Sequence, residues 1–189
     1  VVIDAPPDLE GISALLTEHD LAPVALLLTH GHVDHMGGAG AVARQHGVRA
    51  YVHPDDDYLT LAPERQLEML FGSVQPGDFA PPDEFEPLRG GQTLHLAGLE
   101  LEVRWTPGHT PGHCCFFVKS EGALFSGDQL FAGSIGRTDL PGGNLATLMT
   151  SMRDEVLTLD DDVVVYPGHG PGTTVGTERR TNPFLQELT

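Results

Sequence analysis

The fold is decided by residues 24–38, Val24-Ala25-Leu26-Leu27-Leu28-Thr29-His30-Gly31-His32-Val33-Asp34-His35-Met36-Gly37-Gly38. Val24 to Leu28 is a continuous apolar run of strand length, bounded by a polar turn. The run passes directly into His30, His32, Asp34 and His35. In an extended segment, residues two apart point to the same side, so His30 and His32 can grip one ion. Where the chain then bends toward a helix, Asp34 and His35 can face a second ion nearby. Gly31, Gly37 and Gly38 allow that tight bend.

Working outward, Val1-Val2-Ile3 reads as a short buried strand closed by Asp4 and the Pro6-Pro7 turn. Asp8 can cap a helix with Leu9, Ile12, Leu15 and Leu16 at helical spacing. After Gly38 an Ala-rich helix should run to about His46, with Gly47 as its stop. Val48 to Val52 is then a third strand, and the alternation argues for a mixed α/β sheet. Residues 54–91 are Pro-rich and acidic, which predicts an excursion over the surface with a helix near Glu64 to Leu70. Thr93 to Trp105 predicts a hairpin turning at Ala97-Gly98, and Cys114 to Phe125 a second one. A helix follows Asn144 with Leu145, Leu148, Met149, Met152 and Val156 on one face. Val163 to Tyr166 is the last strand.

Ten histidines are present, and several stand in Gly/Pro-rich junctions, where core packing explains them poorly. His109 follows the strand ending at Trp105, Asp128 the one ending at Phe125, and His169 the one ending at Tyr166. Loops after strand ends can converge on one sheet edge, where α/β proteins place their ligands. Five imidazoles and two carboxylates make the right donor count for two metal ions sharing one carboxylate. Such donors favour Zn, Fe or Mn over Ca or Mg.

Other polar residues have plainer readings. His113 begins a strand and is expected to hydrogen-bond near the site without binding metal. His19, His46, His53 and His95 read as surface or capping residues. Asp55-Asp56-Asp57 and Asp160-Asp161-Asp162 lack the spacing of a calcium loop and read as solvated turns. Arg137 either faces an anionic substrate or pairs with Asp139, and the sequence leaves both open.

The chain of 189 residues has 10 Lys+Arg against 27 Asp+Glu, a formal charge of −17. A nucleic-acid binder needs a cationic footprint, so no nucleic-acid partner is expected. Anionic membrane surfaces are disfavoured for the same reason, and the apolar runs are too short to span a bilayer. The adjacent Cys114 and Cys115 read as reduced buried thiols, which points to a cytoplasmic location.

Thr29-His30-Gly31-His32-Val33-Asp34-His35 resembles the signature of the metallo-β-lactamase superfamily. Thr106-Pro107-Gly108-His109-Thr110-Pro111-Gly112-His113, Ser126-Gly127-Asp128 and Tyr166-Pro167-Gly168-His169 are similar to its later motifs, in the expected order. The resemblance is closest to the glyoxalase II-like, or hydroxyacylglutathione hydrolase-like, branch. Gly133-Ser134-Ile135-Gly136-Arg137-Thr138-Asp139 and Arg180-Thr181-Asn182-Pro183-Phe184-Leu185 resemble its compact single-domain members.

The resemblance implies an α/β fold, a four-layer αβ/βα sandwich of two mixed β-sheets flanked by helices. It implies one domain over residues 1–189 that lacks the family's first N-terminal β-hairpin. It assigns His30, His32 and His109 to a first divalent ion and Asp34, His35 and His169 to a second, with Asp128 bridging. The expected ions are Zn, with Fe or Mn as alternatives. Asp34 would also aim a metal-generated hydroxide at the carbonyl of a hydroxyacyl-thiol thioester, a small-molecule substrate, and Arg137 would bind that substrate. Lactone or other ester hydrolysis would use the same residues. Persulfide dioxygenases also resemble the chain; there one iron would use His30, His109 and Asp128. The oligomeric state is left open.

Overall fold

In a computed structural model, residues 1–74, 76–186 and 188 are described. The chain divides into two compact units, Val1–Leu88 and Arg89–Thr189.

Among the described residues, the first unit is a sheet of β1 (Val2–Ile3), β2 (Ala25–Leu27), β3 (Arg49–Val52) and β4 (Phe85–Pro87), paired in that order and parallel throughout. Its helices are α1 (Leu9–Glu18), α2 (Val33–Met36), α3 (Ala39–His46), α4 (Asp57–Thr60) and α5 (Pro63–Phe71). Local chemistry sets the ends of two of them as the sequence predicts. Asp8 accepts the Gly11 N–H at 2.9 Å to start α1, and Gly47 takes a left-handed φ of 64° to stop α3. Leu26, Leu28, Met36, Ala39, Val42, Ala50 and Val52 form the core beneath the sheet. Because β1, β2 and β3 are parallel, their C-terminal ends lie along one edge. Asp4, residues 28–32 and residues 53–56 leave the sheet there side by side.

Residues 54–91 are only in part the surface excursion that their composition predicts, and α5 is the helix expected near Glu64 to Leu70. A 3₁₀ turn at Pro54–Asp56 leads into α4, α5 follows, and β4 extends the sheet against β3. Leu59, Thr60, Gln66 and Leu67 are buried. Pro54 and Pro63 each sit in the first turn of a helical segment, where a missing N–H costs nothing. Pro54 and Pro63 are therefore helix starts.

The second unit is a mixed sheet of β5 (Thr93–Leu96), β6 (Leu99–Trp105), β7 (Cys114–Val118), β8 (Ala123–Gly127), β11 (Val164–Pro167) and β12 (Thr173–Thr174), in the order β12-β11-β8-β7-β6-β5. β9 (Leu130–Phe131) and β10 (Ser134–Ile135) pair as a separate small hairpin, with Leu130 in the same core. The two expected hairpins are present, with Leu94 opposite Leu101 and Phe116 opposite Phe125. Helix α6 (Leu145–Ser151) starts at Asn144, whose side chain accepts the Thr147 N–H, and continues as a π-turn over Met152–Val156. Its stripe of Leu148, Met152 and Val156 is buried against Leu124, Val165 and Leu185.

The sequence reading omits β12 and α7 (Val175–Thr181). That helix carries one apolar residue, Val175, so no helical stripe announces it. It is held instead by Glu178, buried, which accepts from the Gly133 N–H, the Thr173 hydroxyl and the Asn182 amide at 2.7–2.9 Å.

Register decides where the functional loops emerge. β7 runs antiparallel to β8 and β6, while β11 runs parallel to β8. The loop after β6, the turn after β8 and the loop after β11 therefore leave the second sheet at one edge.

Candidate metal centre

In the first unit, the stretch from the end of β2 through α2 carries three histidines, His30 and His32 before the helix and His35 within it. Asp4 is the anchor. Its Oδ1 accepts the Thr29 N–H at 2.7 Å, and its Oδ2 accepts the Thr29 hydroxyl and His35 Nδ1, each at 2.8 Å. The single Thr29 hydroxyl proton goes to Asp4, so Thr29 Oγ1 accepts from His30 Nδ1, 3.0 Å away. With Nδ1 protonated on both rings, His30 and His35 each present the lone pair of Nε2. His30 Nε2 lies 3.1 Å from His32 Nδ1. His35 Nε2 lies 3.7 Å from Asp34 Oδ2. His30, His32 and His35 are buried, whereas Asp34 is exposed.

The peptide between His30 and His32 is clamped on both sides. The Gly31 N–H donates to Asp56 Oδ2 at 2.8 Å, and the Gly31 carbonyl accepts from Gln66 Nε2 at 2.9 Å. Gln66 Oε1 accepts the Val33 N–H at 3.0 Å, and Nε2 also reaches the Leu59 carbonyl. Asp56 is fully buried. It is a structural acceptor, which corrects its reading as part of a solvated turn.

In the second unit, His109, Asp128 and His169 meet at the sheet edge. His109 Nδ1 is 2.7 Å from the Arg137 carbonyl, which can only accept, so Nε2 again presents its lone pair. That Nε2 is 3.6 Å from Asp128 Oδ2, and His169 Nε2 is 3.9 Å from the same oxygen. His109 and Asp128 are buried, while the His169 side chain is 56% exposed. His113 spends both ring nitrogens on protein. Its Nε2 accepts the Asp128 N–H at 3.1 Å, and its Nδ1 meets the Thr106 hydroxyl at 2.8 Å. It therefore holds the Asp128 backbone and has no nitrogen to offer an ion, as expected.

The Arg137 guanidinium makes two bonds to Asp139, at 2.7 and 2.8 Å, with both side chains at the surface. The hydrogen bond from Arg137 holds the Asp139 carboxyl well below its usual range, at about 2. His53 caps the 3₁₀ turn by accepting the Asp55 N–H, and His95 pairs with Glu100 at the surface. Both fit the plain readings given to them.

The donor chemistry fits divalent metal. Two ligands about 2.05 Å from a tetrahedral ion stand about 3.3 Å apart. The donor pairs within each unit span 3.1–3.9 Å. For His30, His35 and His109 the opposite ring nitrogen is engaged by a hydroxyl, a carboxylate or a carbonyl, as metal-binding histidines require. Sequence reasoning missed Asp4, Asp56 and Gln66 as supports. A signal existed for Asp4, a polar residue closing a strand that pairs in parallel beside the histidine-bearing one.

The sequence profile of the Metallo-beta-lactamase superfamily matches residues 1–169. Hydroxyacylglutathione hydrolase GloC of Haemophilus influenzae is 39% identical over 184 residues, which cover 97% of this chain and 86% of that protein. Among solved structures, BLEG-1 B3 metallo-beta-lactamase superposes with a TM-score of 0.88 at 37% identity, covering 97% of this chain and 87% of that one. TTHA1623, solved in a di-iron-bound form, gives 0.87 at 39% identity, covering 97% and 88%.

Proposed function

The chain belongs to the metallo-β-lactamase superfamily and has its α/β fold of mixed sheets flanked by helices, and from that premise we propose that it is a metal-dependent hydrolase of glyoxalase II type, cleaving a hydroxyacyl-thiol thioester. The observation that carries the reading is the tautomer set. His30, His35 and His109 each have one nitrogen tied back by protein and the other presented to a neighbouring donor. The similarity to a hydroxyacylglutathione hydrolase along 97% of the chain supports the choice of thioester.

In this reading His30, His32 and His109 would hold one divalent ion and Asp34, His35 and His169 another, with Asp128 offered to both. Bound there, such ions supply a water acidified toward neutral pH and a Lewis acid for a carbonyl oxygen. The protein's own part is to fix the Nδ1–H tautomer and the ring orientation of His30, His35 and His109, through Thr29, Asp4 and the Arg137 carbonyl. Asp34, exposed beside His35, would accept a hydrogen bond from a water there and orient it. The leaving thiol has an ordinary pKa near 8.5 and departs with little help from a general acid. That agrees with a site whose acids and bases are committed to metal. Zinc is the expected ion, with iron or manganese as the alternatives. The buried thiols of Cys114 and Cys115 support a cytoplasmic setting, and among the described residues no helix is long and apolar enough to cross a membrane.

The test is metal analysis of protein purified without added metal, with parallel assays. These follow S-lactoyl-glutathione hydrolysis, acyl-homoserine lactone hydrolysis and persulfide-dependent oxygen uptake. Two zinc or mixed ions with thioester cleavage is the expected result. One iron with oxygen uptake and no thioester cleavage overturns it.

A further inference from the structure

Resting on the metal reading above, we propose that Asp56 and Gln66 are positioning residues for metal capture. By clamping the Gly31 peptide they hold His30 and His32 in a chelating pose before an ion arrives. Four observations carry this. First, residues 29–32 lie between the end of β2 and the start of α2, so regular secondary structure does not fix their backbone. Second, both polar groups of Gly31 are taken by buried side chains from the segment beyond β3, Asp56 on the N–H and Gln66 on the carbonyl. Third, Gln66 also accepts the Val33 N–H, so the clamp continues to the residue after His32. Fourth, a Cβ on Gly31 would stand 2.8 Å from Leu59 Cβ and 3.1 Å from Thr60 Cγ2, so helix α4 backs the loop directly.

The physical reason is conformational entropy. Glycine is the residue with the widest backbone freedom, and a glycine between two ligands would let their side chains diverge. The orientation of the two peptide planes at Gly31 sets the directions of the His30 and His32 side chains. Locking those planes moves the ordering cost from metal binding to folding. The segment that looks like a surface excursion is thus the backing plate of the ligand loop.

The experiment uses the full chain, stripped of metal and refilled. Zn²⁺ affinity is measured by competition with a chromophoric chelator, and Co²⁺ is added for its absorption spectrum. Circular dichroism of each stripped protein reports folding. Asp56→Ala should weaken Zn²⁺ binding about tenfold and alter the Co²⁺ bands. Asp56→Asn, whose amide oxygen still accepts the Gly31 N–H, should stay within about threefold of wild type. If Asp56→Ala fails to fold, Gln66→Glu serves instead. It replaces the donor facing the Gly31 carbonyl with an acceptor and should weaken binding by a similar factor.

Folded Asp56→Ala or Gln66→Glu protein with wild-type Zn²⁺ affinity and an unchanged Co²⁺ spectrum overturns the proposal. An Asp56→Asn protein as impaired as Asp56→Ala also overturns it, because charge and not geometry would then be at work. Wild-type chain that takes up neither Zn²⁺ nor Co²⁺ overturns the metal reading, and this inference with it.

Discussion

His109 Nδ1 donates to the backbone carbonyl of Arg137 at 2.7 Å. Arg137 therefore holds His109 with its main chain and Asp139 with its guanidinium. The two functions can be separated by mutation, because truncating the side chain leaves the carbonyl in place.

Arg137→Ala should leave metal content unchanged and raise KM for carboxylate-bearing thioesters about tenfold, equivalent to about 1.4 kcal/mol, with kcat nearly kept. A guanidinium released from Asp139 to meet a substrate carboxylate would lie remote from the scissile bond and so would act on substrate binding. Since the side chain is exposed, the KM effect should shrink as salt rises. Steady-state kinetics at low and high ionic strength check this. An unchanged KM would confine Arg137 to its Asp139 pair.

Asp4→Ala removes the acceptor of three hydrogen bonds, to the Thr29 amide, the Thr29 hydroxyl and His35. Metal affinity should fall ten- to a hundredfold, and stability by roughly 2–3 kcal/mol. Chelator competition and urea denaturation measure the two effects. A variant with full metal affinity would show that Thr29, His30 and His35 hold their orientation unaided.

Chelation should abolish hydrolysis and lower Tm, because an ion bound only by the folded state stabilises it by mass action. The effect is about 4 kcal/mol per site at a thousand times Kd. Differential scanning fluorimetry with and without added Zn²⁺ reads it. A Tm that ignores both chelator and Zn²⁺ would argue against any tight site.

Burial pushes the Cys115 thiol up to about 12. In the unfolded chain it titrates near 8.5. Between these values the folded state keeps a proton that the unfolded state has lost, so this group's stabilisation is complete below about 8.5 and is lost as pH rises toward 12. Its contribution should fall by about 1.4 kcal/mol per pH unit in that window. Urea unfolding of wild type and Cys115→Ala at pH 8, 9 and 10 should converge by that slope. Parallel pH curves would reject it.

Gly31→Ala should cost roughly 1–3 kcal/mol through overpacking against Leu59 and Thr60. Thermal denaturation of the metal-stripped proteins checks this without interference from metal binding.

The elements that the sequence announces are those with a local cause. The strand at residues 25–27, the Asp8 cap and the Gly47 stop each follow from neighbours within a few positions. The hairpin turning at Ala97-Gly98 does too. Helix α7 was invisible because it is fixed by Glu178 reaching Gly133 rather than by an apolar stripe. Strand β4 was invisible because three residues carry no period, and only the edge of β3 gives them a partner.

By itself the sequence determined the chemistry of the site, because donor type and spacing are local properties. His30, His32, Asp34 and His35 announce metal wherever the segment lies, and His109, Asp128 and His169 each close a readable strand. The tertiary structure decided which ring nitrogen each histidine presents and what keeps it there. Asp4 and Asp56 act from 25 residues away, on Thr29 and Gly31, and Gln66 from 35. Those partners are chosen by the lateral order of β1, β2 and β3, which places three strand ends on one edge. Lateral order follows from how strands pack and pair across the sheet, and no periodicity along a single strand encodes it.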